Sequence, residues 1–139
     1  MAEKVSVWAD NAPQPFGHYS QAIKFDDMLY ISGQLPLDPK TGHPIKGEVE
    51  DECRLVLNNL SAVVQSCGAQ MSNLLTTTLY LTDLKHFPIF DKVSKEFFFF
   101  LPPARTTLVV AGLPGNCKVC LDAVGKIVKP DASEGKSMI

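Results

Sequence analysis

Two residues stand out for the chemistry they could do. Arg105 opens the β-branched run RTTLVVAG directly after Pro102-Pro103-Ala104, and Asp122 is isolated among apolar residues in CLDAVG. The chain has eleven lysines and only two arginines, so the choice of arginine at position 105 asks for a reason. A guanidinium presents a planar fork that grips a carboxylate bidentately and keeps its charge in a partly dry site. The two prolines stiffen the approach and set its backbone at little entropic cost. Two arrangements fit. In one, Arg105 holds a ligand carboxylate and Asp122 handles water. In the other, Arg105 is an edge-strand arginine paired with a surface acid, and it and Asp122 simply neutralise one another. Arg54, beside the acidic start of a helical stretch, reads as helix-surface pairing.

Other reactive side chains carry less. Cys117 and Cys120 form C-x-x-C, but on a strand spanning CKVCLDAV residues three apart face opposite sides and do not chelate together. Nothing helical follows them, as a thioredoxin-type pair would need. Cys53 and Cys67 fall on an apolar helical stripe, where a thiol acts as a small hydrophobe. His18, His43 and His86 show no ligand spacing, so no metal is expected. GKS near the C-terminus is no phosphate loop, because Pro130 stands where the motif's first glycine belongs.

These side chains must be held by elements whose periods are legible. VSVW (5–8) alternates weakly. YSQAIKFDDMLYISGQLPLD reads as two strands around an Asp26-Asp27 turn. PKTGHPIKG is a loop. From Glu48 the period becomes helical: Val49, Cys53, Val56, Leu57, Leu60, Val63, Val64 and Cys67 make a stripe. Acids fill the first turn, and Gly68 marks the stop. LLTTTLYLTD (74–83) alternates as a strand. Asp83 caps a second helix with Phe87, Phe90, Val93 and Phe97 inward. RTTLVVAGL and KVCLDAVGKIV are two further strands, expected as a hairpin through Gly115-Asn116 that brings Asp122 near Arg105. Its register is not fixed by sequence.

The order βββ-α-β-α-ββ predicts an α+β two-layer domain, a mixed sheet with both helices on one face. Strands such as TTLVVAG and MLYISG are apolar on both parities, so the helix-free face calls for cover by another copy of the chain. One domain over 1–128 is expected, with a loosely ordered tail at 129–139.

The stretches PFGHYSQAIKFDDMLYISGQLPLDPKTG, the acid-headed helix, LTTTLYLTD, and PPARTTLVVAGLP with CLDAVGKI resemble the reactive-intermediate (enamine/imine) deaminases of the YjgF/YER057c/UK114 family, over about residues 5–128. The resemblance implies a chorismate-mutase-like fold and a homotrimer with clefts between subunits. It implies hydrolysis of 2-aminoacrylate and related 2-imino acids to 2-keto acids and ammonia, with no cofactor. It also implies roles. Arg105, of the P-A-R-[ST] motif, binds the substrate carboxylate. Gly17 and Tyr19 shape the pocket, Ser32 and Gly33 lie in the [VI]-S-G-Q segment, and Thr107 is the small polar residue two beyond the arginine. Asp122 replaces a glutamate that orients the attacking water, drawing the carboxylate back by about 1.5 Å. His18 replaces a proline.

Bulk properties bound the alternatives. A net charge of −2 and pI near 5.9 argue against nucleic acid and anionic membranes as partners. No basic stripe interleaves with aromatics, which weighs against single-strand RNA cleavage and translation inhibition. A non-catalytic metabolite binder or chaperone-like protein is the other alternative, because Asp122 is short for its role. MAEKVSVWAD does not read as a signal peptide, and a cytoplasmic protein with reduced cysteines is expected.

Overall fold

The computed structural model describes residues 3–128; the expectation for the tail at 129–139 lies outside them. Six strands and two helices follow in the order expected from sequence. They are β1 (Lys4–Val7), β2 (Ala22–Phe25), β3 (Met28–Gln34), α1 (Val49–Ser66), β4 (Leu74–Leu81), α2 (Phe87–Ser94), β5 (Ala104–Val109) and β6 (Val119–Lys126). The two helices and one mixed sheet form two layers. Among the described residues no helix is long and apolar enough to cross a membrane.

The sheet order is β1-β2-β3-β6-β4-β5. Phe25 pairs with Met28 across Asp26-Asp27, with Asp26 at φ 53°. Aspartate tolerates that left-handed conformation better than most residues. The expected β5–β6 hairpin is not formed. β5 pairs in parallel with β4, while β6 runs antiparallel between β3 and β4. Parallel neighbours need a crossover rather than a tight turn, and α2 supplies it. Residues 110–118 are long enough to carry the chain back past β4. β6 has apolar residues on both parities, which suits an interior strand, and β5 is left as a sheet edge.

α1 begins with a reciprocal cap: the Glu48 side chain accepts from the Asp51 backbone N–H, and Asp51 Oδ2 accepts from the Glu48 N–H at 2.9 Å. It ends where Gly68 takes φ 79°. Cys53, Val56, Leu57, Leu60, Val63 and Val64 are fully buried against Leu29, Ile31, Leu79, Leu121 and Ala123 of the sheet. Each buried aliphatic side chain is worth roughly 1.5–3 kcal/mol. Asp83 caps a short 3-10 turn, accepting from the Lys85 N–H at 2.9 Å, and that turn runs into α2. Phe90 and Val93 of α2 are buried, with Phe87 and Phe97 packed against the same core. A smaller apolar cluster of Leu35, Leu37, Cys117 and Cys120, flanked by Tyr80 and Leu113, forms apart from the main core. The C-x-x-C expectation is corrected here. β6 starts at Val119, so Cys117 precedes the strand and shares this cluster with Cys120 instead of facing away from it.

Candidate active site

Strand pairing decides which side chains share a face. One row runs Ile31, Ala123, Thr77, Arg105 on the helix-covered side; the adjacent row runs Asp122, Thr78, Thr106 on the helix-free side. Arg105 and Asp122 therefore project from opposite faces of one sheet. Within a single chain they do not neutralise one another, which corrects that expectation. Thr107 shares Arg105's face.

Arg105 is held by α2. Its Nη1 donates to Asp91 Oδ1 at 3.1 Å and its Nη2 to Ser94 Oγ at 3.2 Å. The guanidinium carbon lies 5.6 Å from the Phe87 ring centroid and 5.0 Å from that of Phe90, within cation–π range. An arginine paired with a half-exposed acid on an edge strand was one of the two arrangements drawn from sequence, although the acid, Asp91, was not foreseen. Arg54 behaves as expected and reaches further. It forks onto Glu96 at 2.6 and 3.1 Å and lies 3.6 Å from Glu50, so Glu96 is held below the usual carboxylate range, chiefly by the Arg54 hydrogen bond.

Asp122 is fixed on its own face. Oδ1 accepts from the Thr78 backbone N–H at 3.1 Å, and Oδ2 accepts from the Tyr80 hydroxyl at 2.8 Å. The hydrogen bond to Asp122 pushes the Tyr80 phenol above its ordinary value, because ionisation would set two anions side by side. A carboxylate offers about four lone-pair sites, so each oxygen keeps one for a further donor such as water.

Tyr19, Ser32, Thr78 and Asp122 line one open concavity floored by Ile23 and Val124. Ser32 donates to the Ser20 carbonyl at 2.6 Å, tying β3 to the loop that carries Tyr19. That loop is set from below by buried Gln21, which accepts from the Ala9 N–H at 2.6 Å and donates to the Pro13 carbonyl at 2.9 Å. Gly17 gives the Tyr19 ring room: a Cβ there would lie 3.2 Å from Tyr19 Cε2. Phe16 meets Tyr19 edge-on at 5.9 Å. Gly17 and His18 sit with Tyr19 in an adjoining concavity under Trp8. Gly33 has a packing role, since a Cβ would lie 2.8 Å from Cys120 Sγ. The structure thus brings Tyr19, Ser32 and Asp122 together and leaves Arg105 and Thr107 on the other side of the sheet.

Sequence reasoning missed Asp91, Ser94, Thr78 and Tyr80. Asp91 and Ser94 are three apart on one helix, hence on one face, which was readable; their meeting with β5 was not. Tyr80 and Thr78 share a parity in LLTTTLYL, but β6 had to be placed beside β4 before either could be set against Asp122. Among the described residues no group of three or more His, Cys, Asp or Glu side chains is gathered as metal ligands.

Residues 9–127 match the family model described as Endoribonuclease L-PSP. The chain belongs to this L-PSP family, the YjgF/RidA proteins. A 2-iminobutanoate/2-iminopropanoate deaminase of Dermatophagoides farinae is 36% identical over 124 residues, covering 89% of this chain and 97% of its own. A RutC family protein of Pyrococcus horikoshii is 38% identical over 121 residues, covering 87% and 96%. Among solved structures, E. coli TdcF with bound serine superposes with a TM-score of 0.85 at 31% identity, covering 89% of this chain and 99% of its own. The YjgF product of E. coli gives 0.83 at 30% identity, covering 88% and 98%. The two-layer architecture is thus the chorismate-mutase-like fold of YjgF proteins. The family match extends from the loop bearing Gly17 and Tyr19 through Asp122, taking in both faces of the candidate site.

Proposed function

We propose that this YjgF-family chain hydrolyses 2-imino acids, formed from enamines such as 2-aminoacrylate, to 2-keto acids and ammonia. The observation that carries the reading is the pair of opposed polar stations. Arg105 is built to grip a carboxylate, and Asp122 is braced at both oxygens with lone pairs to spare. Because they lie on opposite faces of one sheet, a shared ligand needs Arg105 from one copy and Asp122 from a neighbour. Half-exposed Tyr30 and Leu108 on the helix-free face support burial against such a neighbour. The assembly is a homotrimer with its clefts at subunit boundaries, acting in the cytoplasm.

The chemistry then needs little more than orientation. The enamine gains a proton at C3 and loses one from nitrogen to become the imine. Water hydrogen-bonded to Asp122 attacks C2 and gives one proton to the nitrogen; the hydroxyl proton follows it as the C–N bond breaks, C=O forms and ammonia leaves. Arg105 fixes the carboxylate so that C2 faces that water, which lowers the entropic part of the barrier. Tyr19 and Ser32 shape the cleft, Gly17 and Gly33 make room for the Tyr19 ring and the Cys120 thiol, and Thr107 shares Arg105's face. The ligands are small imino and keto acids, and the mechanism uses no cofactor. The family description names an endoribonuclease; the net charge of −2 gives a phosphate backbone little to bind.

A coupled assay in which a pyridoxal-phosphate dehydratase releases 2-aminoacrylate tests this. Arg105→Lys loses most of the activity, because an ammonium lacks the planar fork. Asp122→Asn loses rate while still binding a keto acid, and Asp122→Glu equals or exceeds the native rate. Full activity in Asp122→Asn would remove Asp122 from the mechanism and favour a non-catalytic metabolite binder whose ligand rests on Arg105 alone.

A further inference from the structure

Four residues of α2 converge on one guanidinium. Phe87, Phe90, Asp91 and Ser94 lie at spacings that share a helix face, and together they supply two rings, a carboxylate and a hydroxyl around Arg105. The rings and the hydroxyl are what a positioned, partly dry arginine needs. The carboxylate is not, if the arginine serves only to bind an anion: Asp91 takes one of the five N–H donors and offsets the charge. Arg105 keeps 22% of its side chain exposed and Asp91 keeps 45%, so the pair opens outward rather than being sealed as a structural bridge. Among the described hydrogen bonds, Asp91 Oδ2 accepts none.

We propose that Asp91 is a specificity-determining residue that receives the ligand's α-nitrogen, so that the Arg105–Asp91 pair selects ligands carrying a cationic nitrogen beside the carboxylate. The inference rests on the reading of Arg105 as the carboxylate anchor. In a 2-iminium acid or a 2-amino acid, nitrogen and carboxylate stand on adjacent carbons. A carboxylate on the remaining guanidinium N–H groups then sets that nitrogen next to Asp91. A 2-keto acid has only a carbonyl oxygen there and meets the Asp91 charge as repulsion. The same residue thus favours the protonated, more electrophilic imine on entry and disfavours the keto acid after hydrolysis. Discrimination arises from one attractive and one repulsive contact at a single oxygen.

The test compares two ligands of one skeleton, L-2-aminobutanoate and 2-oxobutanoate, by titration calorimetry on the intact protein. Asp91→Asn keeps size and a hydrogen-bond acceptor for the guanidinium while removing the charge. It is expected to weaken 2-aminobutanoate and tighten 2-oxobutanoate by roughly tenfold each, the scale of one lost charge contact at a half-exposed position. Ser94→Ala also removes a guanidinium contact, but an uncharged one, and leaves the affinity ratio where it was. Both ligands tightening together in Asp91→Asn would show that Asp91 merely competes for Arg105, and an unchanged ratio would show a structural role; either overturns the proposal. If the ratio stays fixed while the native protein turns over 2-iminobutanoate, only this inference falls. If the native protein neither binds these ligands nor shows turnover, the reading of Arg105 falls with it.

Discussion

Replacing Tyr80 by phenylalanine removes one oxygen atom and isolates what the brace on Asp122 contributes. The hydroxyl donates to Asp122 Oδ2 at 2.8 Å, and the Thr78 N–H at 3.1 Å remains as the only described donor to that side chain. A hydrogen bond to a charged group contributes about 1.5–3 kcal/mol, and the open concavity around Asp122 places this one at the lower end. If the full value serves to aim the carboxylate at water, the loss in kcat is about tenfold, since about 1.4 kcal/mol is a factor of ten in rate. KM should hardly move, because the ligand carboxylate rests on Arg105 of the neighbouring copy and not on Asp122 or Tyr80. The assay is steady-state turnover of 2-aminoacrylate with the folded fraction checked by urea unfolding. An unchanged kcat would refute the claim that Asp122 must be aimed. A change confined to KM would place Tyr80 against the substrate instead.

Two further predictions concern the framework under the site. Gly33→Ala puts a Cβ 2.8 Å from Cys120 Sγ and should destabilise the fold by about 1–3 kcal/mol. Cys120→Ala in the same chain should recover most of that loss, and additive effects in a double-mutant cycle would show that the two do not touch. Burial pushes the Cys53 and Cys120 thiols from 9.0 to about 12, so the folded chain keeps protons that the unfolded chain has released. The unfolded state therefore binds fewer protons above pH 9, and stability falls as pH rises from about 9 to about 12. The slope approaches 1.4 kcal/mol per pH unit for each such thiol, roughly. Urea unfolding near neutral and near pH 10.5 checks this, and a flat profile would mean that the thiols reach solvent.

What was legible in the sequence was local. The helical stripe from Val49, its acidic first turn and Gly68 located α1 because the 3.6-residue period is carried by the residues themselves. The parity of β6 was equally plain, with Val119, Leu121 and Ala123 on one face and Asp122 on the other. Strand adjacency was not. A β5–β6 hairpin is the short-range guess, but β4-α2-β5 forms a crossover unit and β6 returns between β3 and β4, a choice made by packing across the whole sheet. That one choice determines the rest: it sets Tyr80 and Thr78 beside Asp122, leaves Arg105 at an edge, and delivers Arg105 to Asp91 on α2. The family resemblance supplied the residues of the site, while their division between two faces came only with the register.

The central claim is that one copy supplies Arg105 and its neighbour supplies Asp122, and mixed assemblies test it directly. Chains carrying Arg105→Ala and chains carrying Asp122→Asn are co-expressed with different tags, and assemblies holding both are isolated and assayed against 2-aminoacrylate. Each variant alone has little activity. In a closed three-membered ring that holds both kinds of chain, one cleft has both of its contributors unaltered, about a third of the total. The account predicts recovery to about that fraction of the native rate in mixed assemblies. Activity no greater than the sum of the two variants would contradict it.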